Sequence, residues 1–75
     1  MKIISGEVWL VQHRRKGDFT ARVLDPVDTD GPGDQSIRLE IVDGTARFLA
    51  AEDAVAGDVI TVRAAFCRFV ERRVA

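Results

Sequence analysis

The chain has 75 residues, of which 47% are hydrophobic and 31% are charged, and its net charge is −1. This length predicts a single small domain, residues 1–75, and this composition argues against wholesale disorder. The lone cysteine, Cys67, excludes an intramolecular disulfide, and no apolar stretch is long enough to span a bilayer. We therefore expect a cytoplasmic protein with no membrane contact.

The first predicted element is a β-hairpin that joins residues 3–13 to residues 19–24. Its loop contains the basic run Arg14, Arg15 and Lys16. Two registers are open. A loop of two or four residues turns Val8 and Leu10 toward the face of Phe19. A three-residue loop that ends in Gly17 turns the alternate set toward that face: Trp9, Val11 and His13.

The next segment, residues 25–35, reads "DPVDTDGPGDQ" and is predicted to be a loop because it holds both prolines and two glycines. Its four aspartates are Asp25, Asp28, Asp30 and Asp34. Their spacing resembles a calcium loop, but the twelfth position counted from Asp28 or Asp30 is Leu39 or Ile41 instead of glutamate. The better interpretation is that these are solvated turn aspartates.

The sequence "IRLEIV" at residues 37–42 alternates apolar and charged side chains, as a half-buried strand does. Asp43 and Gly44 follow it, and this dipeptide is a strong hairpin signal. We therefore expect a second hairpin in which residues 45–50 pair with residues 37–42. That register would place Arg47 opposite Glu40, as a pair of opposite charges across the strands.

Residues 51–56 are predicted to form one helical turn or a wide connection, and residues 58–70 a long strand. The apolar pattern of that strand changes parity near Ala64 and Ala65, which indicates a bulge or two buried faces. The predicted fold class is all-β with little or no helix. Five strands in so short a chain predict a small, strongly bent antiparallel barrel, either SH3-like or OB-like.

No enzymatic signature is present, so we expect a protein that is not an enzyme and needs no cofactor. One histidine and one cysteine without paired spacing do not predict a metal site. Cys67 lies in the apolar run "AAFCRFV", where a small buried side chain is the expected role.

The charges are distributed unevenly: residues 1–24 carry +3, residues 25–58 carry −7 and residues 59–75 carry +3. If the terminal strands pair, their basic ends merge into one patch. Small barrels bind single strands by combining a basic groove with aromatic side chains. We therefore predict a binding module for RNA or single-stranded DNA. Its candidate residues are Trp9, Arg14, Arg15, Lys16, Arg22, Arg63 and Arg68.

Within this hypothesis Trp9 is the first candidate for base stacking, with Phe19 and Phe66 next. A four-residue loop would place Trp9 near Arg22 as a cation–π pair. The alternative function is a protein–protein interaction module or a subunit of a homo-oligomer without nucleic-acid contact. That alternative rests on the apolar residues found on both faces of strand 59–70, through which the chain would self-associate.

Overall fold

The computed structural model describes residues 1–73, and this part of the chain is almost entirely β-structure. Its strands are β1 (Lys2–Ile3), β2 (Val8–His13), β3 (Gly17–Val23), β4 (Val27–Asp28), β5 (Ser36–Gly44), β6 (Val59–Arg63) and β7 (Cys67–Arg73). One 3₁₀ helix, Ala64–Phe66, separates β6 from β7. The all-β class with almost no helix is confirmed.

Five strands form one antiparallel sheet in the order β6-β5-β3-β2-β7, while β1 and β4 form a separate two-stranded sheet. Strands β2, β3, β5 and β6 therefore lie side by side in chain order. The last strand, β7, returns to pair with the first strand of this sheet, β2.

The main sheet must bend strongly, because β6 and β7 lie at its opposite edges and only three residues connect them. In a flat five-stranded sheet these edges would be roughly 19 Å apart, whereas the four Cα steps from Arg63 to Cys67 span at most about 14 Å. No strand pairing joins β6 to β7 within residues 1–73, so hydrogen bonds do not close this sheet into a complete barrel.

The core lies on the concave face of the main sheet. Alternate residues of each strand point inward, as the pleat requires. The buried apolar side chains that β2, β3, β5 and β6 contribute to the core are Val11, Phe19, Ala21, Val23, Ile37, Leu39, Ile41, Ile60 and Val62. Ile3 and Val27 extend this core from the two-stranded sheet. Trp9, Phe48, Cys67 and Phe69 are half-buried against its rim.

The first hairpin has a three-residue loop, residues 14–16, which ends one residue before the predicted end at Gly17. The inner face predicted for the three-residue loop is confirmed. His13 pairs with Gly17, and Val11 pairs with Phe19, so both strands contribute to the inner face. The glycine has a φ of +84°, a conformation that other residues adopt only with strain. The alternative loops of two or four residues are wrong.

The predicted hairpin at Asp43 and Gly44 is also wrong. The chain does not turn there: β5 continues through Gly44 and pairs with β3 on one side and with β6 on the other. Glu40 lies opposite Arg22 instead of Arg47, and the two side chains form an ion pair of 2.9 Å. Residues 45–50 form no strand and contribute one isolated bridge, between Ala46 and Ala54.

Three further predictions can be compared in detail. Residues 58–70 do not form one long strand, because the 3₁₀ helix interrupts them where the apolar pattern changes parity. Residues 51–56 contain no helical turn and form the alternative, a wide connection. The predicted loop 25–35 holds the short strand β4, and its Gly33 carbonyl accepts a hydrogen bond of 2.9 Å from the Ala65 amide.

Candidate functional site

The tip of the β2–β3 hairpin is held in shape by the imidazole of His13. This side chain is buried, and its Nδ1 accepts hydrogen bonds from the backbone amides of Arg15 (3.1 Å) and Lys16 (3.2 Å). These two bonds satisfy loop amides that have no strand partner. The conformation of the loop at residues 14–16 is therefore stabilised by a buried side chain.

Burial lowers the pKa of His13 below 6.5, and the nearby charges of Lys16 and Arg15 lower it further. The neutral imidazole is the form that fits this site, because an unprotonated Nδ1 is needed to accept both amide hydrogen bonds. The ring proton then lies on Nε2.

Phe66, the last residue of the 3₁₀ helix, lies directly beside the tip. Its carbonyl oxygen accepts a hydrogen bond of 2.9 Å from the Arg14 amide. The guanidinium carbons of Arg14 and Arg15 lie 5.8 Å and 5.3 Å from the centre of the Phe66 ring. Both distances are within cation–π range, so the ring holds two cations over an aromatic surface.

A second aromatic ring reaches the tip from the segment that follows β5. The Nζ of Lys16 lies 3.8 Å from the centre of the Phe48 ring. The Arg47 amide donates a hydrogen bond of 3.0 Å to the Lys16 carbonyl. A Cβ atom added to Gly17 would lie 3.4 Å from Nη2 of Arg47, so this guanidinium covers the glycine closely.

An open groove of about 270 Å³ runs beside Phe66. Residues 12–14 of the hairpin line one side, and residues 65–68 line the other, including Arg68 opposite Gln12. Cys67 lies in this groove, but burial raises its pKa to about 11. Its sulfur is therefore a neutral thiol at physiological pH, which does not favour nucleophilic chemistry.

Five cationic side chains lie at or beside the hairpin tip, and none of them forms an ion pair within residues 1–73. Three of them contact the two rings, while one covers Gly17 and one lines the groove. We call this group the tip cluster: Arg14, Arg15, Lys16, Arg47 and Arg68. Elsewhere Arg22, Arg38 and Arg72 are each paired with a carboxylate. Lys2, Arg63 and Arg73 also form no ion pair within residues 1–73, but they are not grouped around an aromatic ring. The carboxylate closest in sequence to the tip is Asp18, which is exposed and pairs with Gln12 through the backbone.

Of the seven predicted site residues, the structure brings Arg14, Arg15, Lys16 and Arg68 together. Arg22 lies on the outer face of the sheet in its ion pair with Glu40. Arg63 is exposed at the end of β6. Neither of these arginines lines the groove beside Phe66.

Trp9 lies on the concave face, half-buried against the core, and meets the Phe69 ring edge-on at 6.1 Å. Its Nε1 is buried without a hydrogen-bond partner within the described residues. Because Trp9 pairs with Ala21 and Val8 pairs with Arg22, the tryptophan and Arg22 point to opposite faces. The expected cation–π pair between them is therefore not formed.

The sequence reasoning missed Arg47 and Phe48 as members of this site. Both fall in the segment that was assigned to a hairpin with β5, which would have directed them to a different surface. A basic residue followed by an aromatic one is the only local signal they offer, and it is a weak one.

The aspartates of segment 25–35 serve structural roles. Asp25 accepts hydrogen bonds from the Arg38 side chain (2.8 and 3.0 Å) and from the Arg38 amide (3.0 Å), and these bonds hold its pKa below the ordinary value. Asp28 accepts a bond of 3.0 Å from the Asp30 amide. Within residues 1–73 no three acidic, histidine or cysteine side chains cluster as metal ligands would.

Comparison with protein-family models, with curated proteins and with solved structures finds no match to this chain. In the part of the chain that the structure describes, no helix has the length and apolar character needed to cross a membrane.

Proposed function

We propose that this protein binds single-stranded nucleic acid, RNA or single-stranded DNA, at the tip of its β2–β3 hairpin. The observation that carries the proposal is the tip cluster itself: five cations that form no ion pair within residues 1–73, three of them in contact with two half-buried aromatic rings. The net charge of the whole chain is −1, and Glu52, Asp53 and Asp58 line a groove together with Phe48, but no carboxylate pairs with the tip cluster within residues 1–73.

The cations would contact the phosphates. Unpaired arginines and lysines bind phosphate without first breaking an internal ion pair, so their full charge is available to a polyanion. The His13 imidazole fixes the loop that carries Arg14, Arg15 and Lys16. This preorganisation lowers the entropy cost of binding.

The two rings would contact the bases. A base in a single strand is free to stack on an aromatic side chain, whereas a base in a duplex is already stacked on its neighbours. The groove beside Phe66 is open, so a strand can run across it between the hairpin and residues 65–68. These features favour a single strand over a duplex.

The strand order supports an SH3-like arrangement over an OB-like one. The OB-fold is a Greek-key barrel, in which a long connection returns a strand to lie beside the first. Here β7 reaches β2 after only three residues of 3₁₀ helix. That short connection places Phe66 beside the hairpin tip, so the fold type and the proposed site depend on the same segment.

The test is fluorescence anisotropy with labelled RNA and DNA single strands of about ten nucleotides, at several salt concentrations. We expect binding that weakens as salt rises. The double variant Arg14→Gln/Arg15→Gln should bind more weakly and reduce the salt slope by about one for each phosphate that it no longer neutralises. Lys16→Gln should weaken binding, whereas the matched control Lys2→Gln, which removes the same charge outside the tip, should not.

The aromatic contribution is tested separately by Phe66→Leu, which keeps the position apolar. Loss of one stacked base costs about 1–3 kcal/mol, so binding should weaken by roughly 5- to 150-fold with an unchanged salt slope. A thermal melt of each variant shows whether it is folded. Absence of binding at low salt, or equal effects of Lys16→Gln and Lys2→Gln, would contradict the proposal.

A further inference from the structure

The two edge strands of the main sheet differ in how they are protected. An exposed edge offers unpaired amides and carbonyls to another strand, and proteins usually protect it with charges, bulges or a covering loop. Strand β7 has two of these protections. Four of its seven residues are charged, and a bulge interrupts its pairing with β2.

Strand β6 has one charged residue, Arg63, and no bulge, and the segment 48–54 shares a groove only with its first two residues, Val59 and Ile60. Its sequence is "VITVR", without proline or lysine, and its pairing with β5 is regular from Val59 to Arg63. The Ala64 amide donates a hydrogen bond to the Gln35 carbonyl, so these two residues form a hydrogen-bonded pair. Because hydrogen-bonded and non-hydrogen-bonded pairs alternate along antiparallel strands, this bond shows which residues of β6 bond to β5. Ile60 and Val62 therefore direct their backbone groups toward β5, while Val59, Thr61 and Arg63 direct theirs away from the sheet.

The side chains near this edge are unusually apolar for a surface. Seven large apolar side chains are exposed in the described residues, and three of them lie on β6 or near its start. Val59 is the first residue of β6, Val55 donates its amide to the Asp58 carboxylate, and Val42 follows Ile41, whose amide donates a hydrogen bond to the Asp58 carbonyl. Phe48 and Val59 also line a groove of about 330 Å³ there, together with Glu52, Asp53 and Asp58.

The charges along β6 are self-complementary under twofold symmetry. The acidic residues Glu52, Asp53 and Asp58 lie at the end where β6 begins, and Arg63 lies at the end where it stops. When two such strands run antiparallel, the acidic end of each lies beside the basic end of the other. A parallel arrangement would place like charges together.

We propose that β6 pairs antiparallel with β6 of a second copy of this chain, centred on Thr61. This proposal is independent of the nucleic-acid site. Thr61 then forms a hydrogen-bonded pair with Thr61 of the second copy, and Val59 pairs with Arg63 of the second copy at both ends. The aliphatic part of that arginine covers the exposed Val59 side chain. The two sheets join into one, and the association closes as a dimer.

The first test is sedimentation velocity of the full chain from about 5 to about 500 µM, where mass action favours the dimer at high concentration. Val59→Lys places a cation opposite Arg63 of the second copy at two equivalent points, so dimerisation should weaken by about tenfold. Val70→Lys is the matched control, since Val59 and Val70 are edge-strand valines that are 55% and 45% exposed. It should leave the dimer intact.

The second test is disulfide cross-linking, which reports the register. With Cys67→Ser as background, Thr61→Cys should cross-link to itself, because a hydrogen-bonded antiparallel pair holds its Cα atoms about 5.5 Å apart. Val59→Cys and Arg63→Cys should cross-link to each other when mixed, but neither should cross-link alone. A chain that stays monomeric at every concentration, or a dimer that Val70→Lys disrupts equally, would overturn the proposal.

Discussion

The single histidine shows how one side chain organises the candidate site. His13 belongs to the inner face of β2, yet its Nδ1 serves the loop amides of Arg15 and Lys16. Its position next to a basic run is visible in the sequence. Its role as an internal acceptor is not, because that role depends on the three-residue loop. The sequence left this loop length open.

The first prediction concerns the pH dependence of stability. The pKa of His13 is lower in the folded chain than its unfolded value of 6.5, so the unfolded chain takes up a proton that the folded chain excludes. The stability from neutral His13 is therefore complete above pH 6.5 and is lost as the pH falls toward the folded pKa. Urea unfolding at about pH 7.5 and about pH 5.5 measures this loss.

The control is His13→Gln, which cannot titrate in this range and should lose less stability between the two pH values. Carboxylates titrate mainly at lower pH, so their effect on the free energy of unfolding should be similar in the wild-type chain and in the His13→Gln variant. An imidazole pKa at or above its unfolded value, measured by NMR, would contradict this account.

At the level of elements, the alternation of apolar and polar residues predicted which side chains point to the core more accurately than it predicted which strands pair. Ile37, Leu39 and Ile41 all point to the core, as the pattern predicted. Their neighbours are β3 and β6, whereas the local turn signal indicated residues 45–50. Any apolar strand of the right length satisfies such a pattern, so pairing is decided by the whole sheet. The β-branched side chains of β6 provide a better partner surface than "TARFLA" does.

Gly44 explains why the turn signal misled. Its φ is +85°, as a turn would require, but it lies at the end of β5 opposite Phe19. An added Cβ would lie 3.3 Å from the Phe19 Cα and 3.4 Å from its Cβ. The glycine is needed there for close approach of two strands as well as for its backbone conformation.

The second prediction follows from this close approach. Gly44→Ala should lower the free energy of unfolding by more than Gly57→Ala does. Both positions have a positive φ, which costs an alanine roughly 1–2 kcal/mol, but the space around Gly57 is open. Chemical denaturation of both variants measures the difference. Equal losses of stability would mean that the proximity of Phe19 contributes nothing.

For the whole molecule, the bent sheet explains both the core and the distribution of charge. The bend brings the 3₁₀ helix to the hairpin tip, where one basic residue of the C-terminal segment, Arg68, joins the basic run of the N-terminal segment. Among the C-terminal arginines only Arg68 lines the groove. This could not be predicted from the sequence, because it depends on the register in which β7 pairs with β2. The bulge between Leu10 and Val11 sets part of that register, and a bulge of this kind has no clear signature in the sequence.

The third prediction tests how much the small core contributes. Leu39→Ala removes a side chain with no exposed surface, which costs about 2–5 kcal/mol. A chain of this length has a total stability of about 4–11 kcal/mol, so this single change should remove a large part of it. The matched control is Leu49→Ala at a fully exposed leucine, which should change the thermal midpoint little. Similar effects of the two variants would contradict the assigned core.

NMR titration of the labelled chain with a single-stranded oligonucleotide shows, residue by residue, whether the tip cluster binds single-stranded nucleic acid. We expect the amide signals of residues 14–17, 47–48 and 66–68 to shift progressively, while those of β1 and β4 do not. Shifts confined to surfaces away from the tip, or no shifts at low salt, would contradict binding at the tip cluster.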